Sequence, residues 1–165
     1  MNPTSSGPDG LDAADSQQSP PPDEGVEIPA WLRELSPGTL AERMGIEFTE
    51  IAAKRLVARM PVEGNTQPYG LLHGGASAVL AETLGSIGAQ LSAGPGAQAL
   101  GIELSCTHHR AARNGYVTGV AAPIHLGRTV ATYEIVITDD RGRRVCTSRL
   151  TCLLRQGGDE DSPRA

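Results

Sequence analysis

Glu82 is the only Asp, Glu, Lys or Arg between Glu63 and Glu103, and it sits among Ala, Leu, Gly and Ser. An ionised carboxylate in apolar surroundings is costly unless it is hydrogen-bonded or paired, so a glutamate without a charged sequence neighbour is a candidate base or nucleophile. Ser86 follows four residues later, and on a helix its hydroxyl shares a face with that carboxylate. Just upstream, Gln67-Pro68-Tyr69-Gly70-Leu71-Leu72-His73-Gly74-Gly75 is a turn-rich run ending where a helix should begin. Backbone N–H groups at a helix start favour an anion, and adjacent glycines let a ligand approach the main chain. Together these residues have the makings of a reaction centre. Each also has a plainer structural role open to it. Glu82 can pair with a distant arginine, His73 can cap the helix, and Gln67 and Ser86 can be ordinary hydrogen-bonders.

The elements that must position these residues follow from hydrophobic period. Residues 28–44 carry Trp31, Leu32, Leu35 and Leu40 and predict a short amphipathic helix interrupted at Ser36-Pro37-Gly38. Residues 45–51 and 54–62 alternate as a hairpin turning near Ala52-Ala53. Over 75–91, Val79, Leu80, Leu84, Ile87 and Leu91 recur at helical spacing, while Ala76, Ala78, Ala81, Gly85, Gly88 and Ala89 keep other faces slim. Beyond Gly94-Pro95-Gly96 the period becomes two. Leu100, Ile102, Leu104 and Cys106 are assigned to one strand face, with His108 on the same side; 116–126, 129–138 and 143–154 supply three more strands. The class is α+β, one long central helix wrapped by an antiparallel sheet of five to six strands. A single helix cannot cover so much sheet, so subunits are expected to join at a sheet edge as a dimer or a dimer of dimers.

Residues 27–155 read as one domain, and 1–26 and 156–165, poor in large apolar side chains, as disordered tails. A net charge of -5 argues against a nucleic-acid partner. No secretory signal opens the chain and the longest apolar stretch is broken by Glu82, so a cytoplasmic protein with no membrane partner is expected. Cys106, Cys146 and Cys152 are odd in number and lack Cys-x-x-Cys spacing, and adjacent His108 and His109 point to opposite faces of a strand; no metal site is expected.

The run from Gln67 through His73-Gly74-Gly75-Ala76-Ser77 to Leu80-Ala81-Glu82-Thr83-Leu84-Gly85-Ser86 resembles the signature of hotdog-fold acyl-CoA thioesterases of the phenylacetate-degradation type. The resemblance continues through Gly101-Ile102-Glu103 to His108 and through Pro123-Ile124-His125-Leu126-Gly127-Arg128-Thr129. It implies a hotdog fold and active sites at a subunit interface. The substrates it implies are aromatic or bulky acyl thioesters of coenzyme A or of a carrier protein, such as 4-hydroxybenzoyl-CoA, 1,4-dihydroxy-2-naphthoyl-CoA and the thioesters proofread in enterobactin synthesis. It further implies Glu82 as catalytic carboxylate, the Gly74 N–H as donor to the thioester oxygen, and Gln67, His73 and Ser86 as orienting groups, with Gly75 and His108 at the substrate. Hydrolysis by a carboxylate needs no metal or organic cofactor, since coenzyme A is part of the substrate. Its phosphates call for cations, and Arg110, Arg113 and Arg128, the last beside Thr129, are candidates because guanidinium forks match phosphate oxygens. Two alternatives stand beside hydrolysis: a dehydratase or hydratase acting on acyl thioesters with the same architecture, and an acyl-CoA-binding module without chemistry.

Overall fold

A computed structural model describes residues 26–156. The predicted tails lie outside the described residues except for their innermost members, Val26 and Gln156. The chain opens with two short helices, α1 (Ala30–Leu35) and α2 (Leu40–Arg43), separated at Ser36-Pro37-Gly38 as expected. Thr39 caps α2 by accepting the Glu42 N–H at 3.3 Å. A hairpin, β1 (Glu47–Ala52) and β2 (Arg55–Pro61), leads through a loop to the long helix α3 (Gly74–Ala93). Four strands follow: β3 (Ala97–His108), β4 (Tyr116–Leu126), β5 (Val130–Asp139) and β6 (Arg144–Gln156).

The six strands form one antiparallel sheet in the order β1-β2-β4-β5-β6-β3, with α3 laid against β2 through β6. The apolar residues of α3 meet the sheet as the helical period requires. Leu80, Ala81 and Leu84 are fully buried with Leu56, Met60, Tyr133, Ile135, Ile137 and Leu150. Small residues set the helix close to the sheet: a Cβ on Gly88 would lie 2.7 Å from Tyr133 Cε1 and 2.9 Å from Leu56 Cδ1. The Tyr133 hydroxyl donates to the Ala53 carbonyl at 2.7 Å, fastening the β1–β2 turn to the core.

β3 departs from the expected phase. Its pairing with β6 runs Gly101 opposite Cys152 and then Glu103 opposite Thr151, leaving Ile102 as an extra, bulged residue. Before the bulge the odd-numbered Ala97, Ala99 and Gly101 face α3; after it the even-numbered Leu104, Cys106 and His108 do. Leu100 and Ile102 are therefore not on the face of Leu104 and Cys106, and they stand 42% and 59% exposed. The outer edge of β3 has no strand partner among the described residues.

Candidate active site

The loop before α3 is fixed by its own backbone. Gly70 N–H donates to the Gln67 carbonyl at 2.9 Å and Gln67 N–H to the Leu71 carbonyl at 2.8 Å, closing a tight turn in which Gly70 takes a φ of 71°. The Gln67 side-chain oxygen accepts the Tyr69 N–H at 3.3 Å. Leu72 N–H donates to Ala112 O and His73 N–H to Asn65 O, so the strand-to-helix turn is held from two sides.

His73 is the N-cap of α3: its Nδ1 accepts the Gly75 N–H at 2.8 Å, and its carbonyl accepts the Ala76 N–H at 2.9 Å. Of the two glycine amides at the helix start, this leaves one unspent. Gly75, expected at the substrate, has its N–H taken by His73, whereas the Gly74 N–H has no acceptor among the described residues. The His108 ring lies over Gly74, where a Cβ would come within 3.0 Å of Nε2. Gln67, Leu72, Gly74, Ser77, His108 and Arg110 line a cavity of about 390 Å³ at this helix start.

Glu82 and Ser86 sit elsewhere. The Glu82 carboxylate is half-buried, accepts the Ser86 hydroxyl at 3.4 Å, and rests on Gly101 of β3. No ion pair involves it among the described residues, so it is not a satisfied partner of a distant arginine. Cys152, opposite Gly101, lies beneath it; burial pushes that thiol up, and the nearby Glu82 carboxylate pushes the same way. Glu82 is eight residues beyond Gly74 on a straight helix, about 12 Å along the axis at 1.5 Å per residue. Within one chain, then, the residues bearing the carboxylate and the free amide stand more than two helical turns apart, whereas reacting atoms must stand about 3–3.5 Å apart.

The candidate arginines also divide. Arg110 borders the Gly74 cavity and a second one of about 380 Å³, which Arg113, Arg141, Arg143, Asp139 and Asp140 also line. Arg143 pairs with Asp139 at 2.7 Å, and its hydrogen bonds hold that carboxyl below the usual 3.8. Arg110, Arg113 and Arg141 have no carboxylate partner among the described residues. Arg128 and Thr129 lie at the other end of β4, a strand about 33 Å long at the usual rise, so the three candidate arginines do not form one patch in a chain. The Thr129 carbonyl accepts the Leu154 N–H, placing that turn near the Gly101 end of the sheet. Sequence reasoning singled out neither Arg141 nor Arg143 for the site: their segment meets 110–113 through the pairing of β4 with β5 and of β3 with β6, which composition does not reveal. Among the described residues no three His, Cys, Asp or Glu side chains converge as metal ligands, and no helix is long and apolar enough to cross a membrane.

A long helix clasped by a six-stranded antiparallel sheet, with a free amide at its start and an unpaired carboxylate at its middle, is the hotdog architecture of thioester hydrolases. Residues 69–146 match the thioesterase superfamily model, and the chain belongs to that family. It is 54% identical over 124 residues to the proofreading thioesterase EntH of Cronobacter turicensis, spanning 74% of this chain and 90% of that protein. Against EntH of Klebsiella pneumoniae the identity is 48% over 130 residues, spanning 73% and 95%. Among solved structures, thioesterase HI1161 of Haemophilus influenzae superposes with a TM-score of 0.75 at 34% identity, covering 79% of this chain and 92% of that one. The protein is thus an enzyme of the thioester-hydrolase class.

Proposed function

We propose that the protein hydrolyses aromatic or otherwise bulky acyl thioesters, with hydroxybenzoyl-CoA and 1,4-dihydroxy-2-naphthoyl-CoA as first candidates, at sites completed by two chains. The observation that carries this is the eight-residue spacing of Gly74, with its free amide, and Glu82 on one helix, about 12 Å of axial rise. Antiparallel pairing of two β3 edges sets the Gly101 end of one strand beside the His108 end of the other. The Glu82 carboxylate of one subunit then meets the Gly74 amide of its mate. In the same assembly Arg128 and Thr129 approach the Arg110, Arg113 and Arg141 cluster, which takes the phosphates of coenzyme A or of a carrier's phosphopantetheine.

In the proposed reaction the thioester oxygen lies on the Gly74 N–H and at the positive end of α3, which stabilise the negative charge that develops as the carbonyl is attacked. A Glu82 oxygen either bonds to the acyl carbon, expelling the thiolate and leaving an anhydride that water cleaves, or takes a proton from the water that attacks, after which the C–S bond breaks and the thiolate leaves with that proton. Ser86 holds the carboxylate, His73 fixes the helix start through its cap, and Gln67 and His108 form the walls at the carbonyl. Neither metal nor organic cofactor enters these steps, and the location proposed with them is the cytoplasm. The test is thiol release from a panel of aromatic and straight-chain acyl-CoA and acyl-carrier thioesters by wild type and Glu82→Gln. Hydrolysis of aryl thioesters by wild type and its loss in the variant are expected; near-full turnover by folded Glu82→Gln rejects the assignment.

A further inference from the structure

Among the described residues no cation holds the Glu82 carboxylate. Its one side-chain hydrogen bond among the described residues, from Ser86, is long at 3.4 Å. Its position is set instead by the surface beneath it, Gly101 of β3 and Cys152 of β6, which are direct register partners. A Cβ built on Gly101 would overlap Glu82 Oε1 and stand only 3.3 Å from Cδ and 3.6 Å from Oε2, and no other residue comes among its three nearest contacts. Gly101 is not one of the glycines with positive φ, so its backbone accepts any L-residue. The nearest atoms that a side chain would meet there all belong to the carboxylate. The inward neighbours two and four residues earlier, Ala99 and Ala97, carry methyl groups. The bulge at Ile102 is what turns Gly101 toward α3 while His108, seven residues on, still faces Gly74.

We infer that Gly101 is a positioning residue: the missing methyl is the seat of the Glu82 carboxylate and sets the direction in which it meets the acyl carbon, an inference that rests on the role of Glu82 proposed above. A methyl group at 101 lifts the carboxylate by about the width of an atom, and displacements near 1 Å cost about 10²-fold in rate. Gly101→Ala is expected to keep the melting temperature and oligomeric mass of wild type, to hold KM within about threefold and to lower kcat about 10²-fold. Two double variants separate positioning from damage to the strand or its edge. Gly101→Ala with Glu82→Asp, whose carboxylate is one methylene shorter, is expected to turn over faster than Gly101→Ala alone. Gly101→Ala with Glu82→Gln is expected to be no slower than Glu82→Gln. A Gly101→Ala enzyme with at least half of wild-type kcat, no gain from Glu82→Asp, or multiplicative losses in the Glu82→Gln pair would each overturn the inference. Full activity of Glu82→Gln alone would overturn the catalytic assignment instead, so the two failures are told apart.

Discussion

If Gly74 and Glu82 act across a subunit boundary, two dead chains should restore one live site. Gly74→Pro removes the single unspent amide while suiting the fold: proline is favoured at the first helical position, and His73 before it already has φ -68° and ψ 135°, which a pre-proline residue prefers. Loss of one oxyanion donor costs about 2.7–4 kcal/mol, or 10²–10³ in kcat. Gly74→Ala is the control, since it brings the same Cβ to within 3.0 Å of His108 Nε2 but keeps the N–H, and it should lose far less. Gly74→Pro and Glu82→Gln chains are then co-expressed with different tags and purified on both. With the site shared, the hybrid has one intact site and one doubly damaged site, so each two-fold pair should show about half of wild-type kcat. With the site confined to one chain, every site carries one lesion and the hybrid runs at the mean of its inactive parents. A hybrid that stays at the parental level refutes the shared-site argument and the roughly 12 Å reasoning behind it.

Other outcomes follow from neighbouring features. Arg113→Glu and Arg141→Glu should each raise KM for acyl-CoA several-fold with little change in kcat, and steady-state kinetics across a salt series should show the gap narrowing as ionic strength rises. Gly88→Ala should lower stability by about 1–3 kcal/mol in urea unfolding, because its methyl group must displace the buried Tyr133 ring; an unchanged midpoint would mean that α3 is not seated so closely. The Asp139 carboxyl is held below 3.8 by Arg143 in the folded chain, so its contribution is present above that pH and fades as pH falls through the lowered value. Thermal melts of wild type and Asp139→Asn should accordingly differ at neutral pH and converge in acid.

The helix α3 was legible because its period runs unbroken through Val79, Leu84, Ile87 and Leu91, and Gly94-Pro95-Gly96 stops it. The strand turns were legible through Asn114-Gly115 and Asp140-Arg141-Gly142, whose glycines do take positive φ. The bulge at Ile102 was not, since apolar Leu100, Ile102 and Leu104 satisfy an unbroken alternation equally well and only pairing with β6 shows that one residue is surplus. At the site, residue types were readable but their grouping was not. Gly75 looks like a second oxyanion donor until His73 is seen to occupy its amide. The spacing of eight between Gly74 and Glu82 was in plain view, and its length in ångströms already separates them. The arginine cluster joins two distant segments through strand pairing, which no local pattern announces.

The surplus residue in β3 constrains how this chain can change length. Deleting Ile102 would restore uninterrupted pairing and leave Gly101 and His108 six residues apart, an even spacing that keeps both on the α3 face, whereas a deletion elsewhere in β3 changes which residues face the helix. Lineages of this enzyme are therefore free to lengthen or trim the β4–β5 and β5–β6 turns, whereas β3 can lose a codon only at its surplus residue without changing the face that meets the helix.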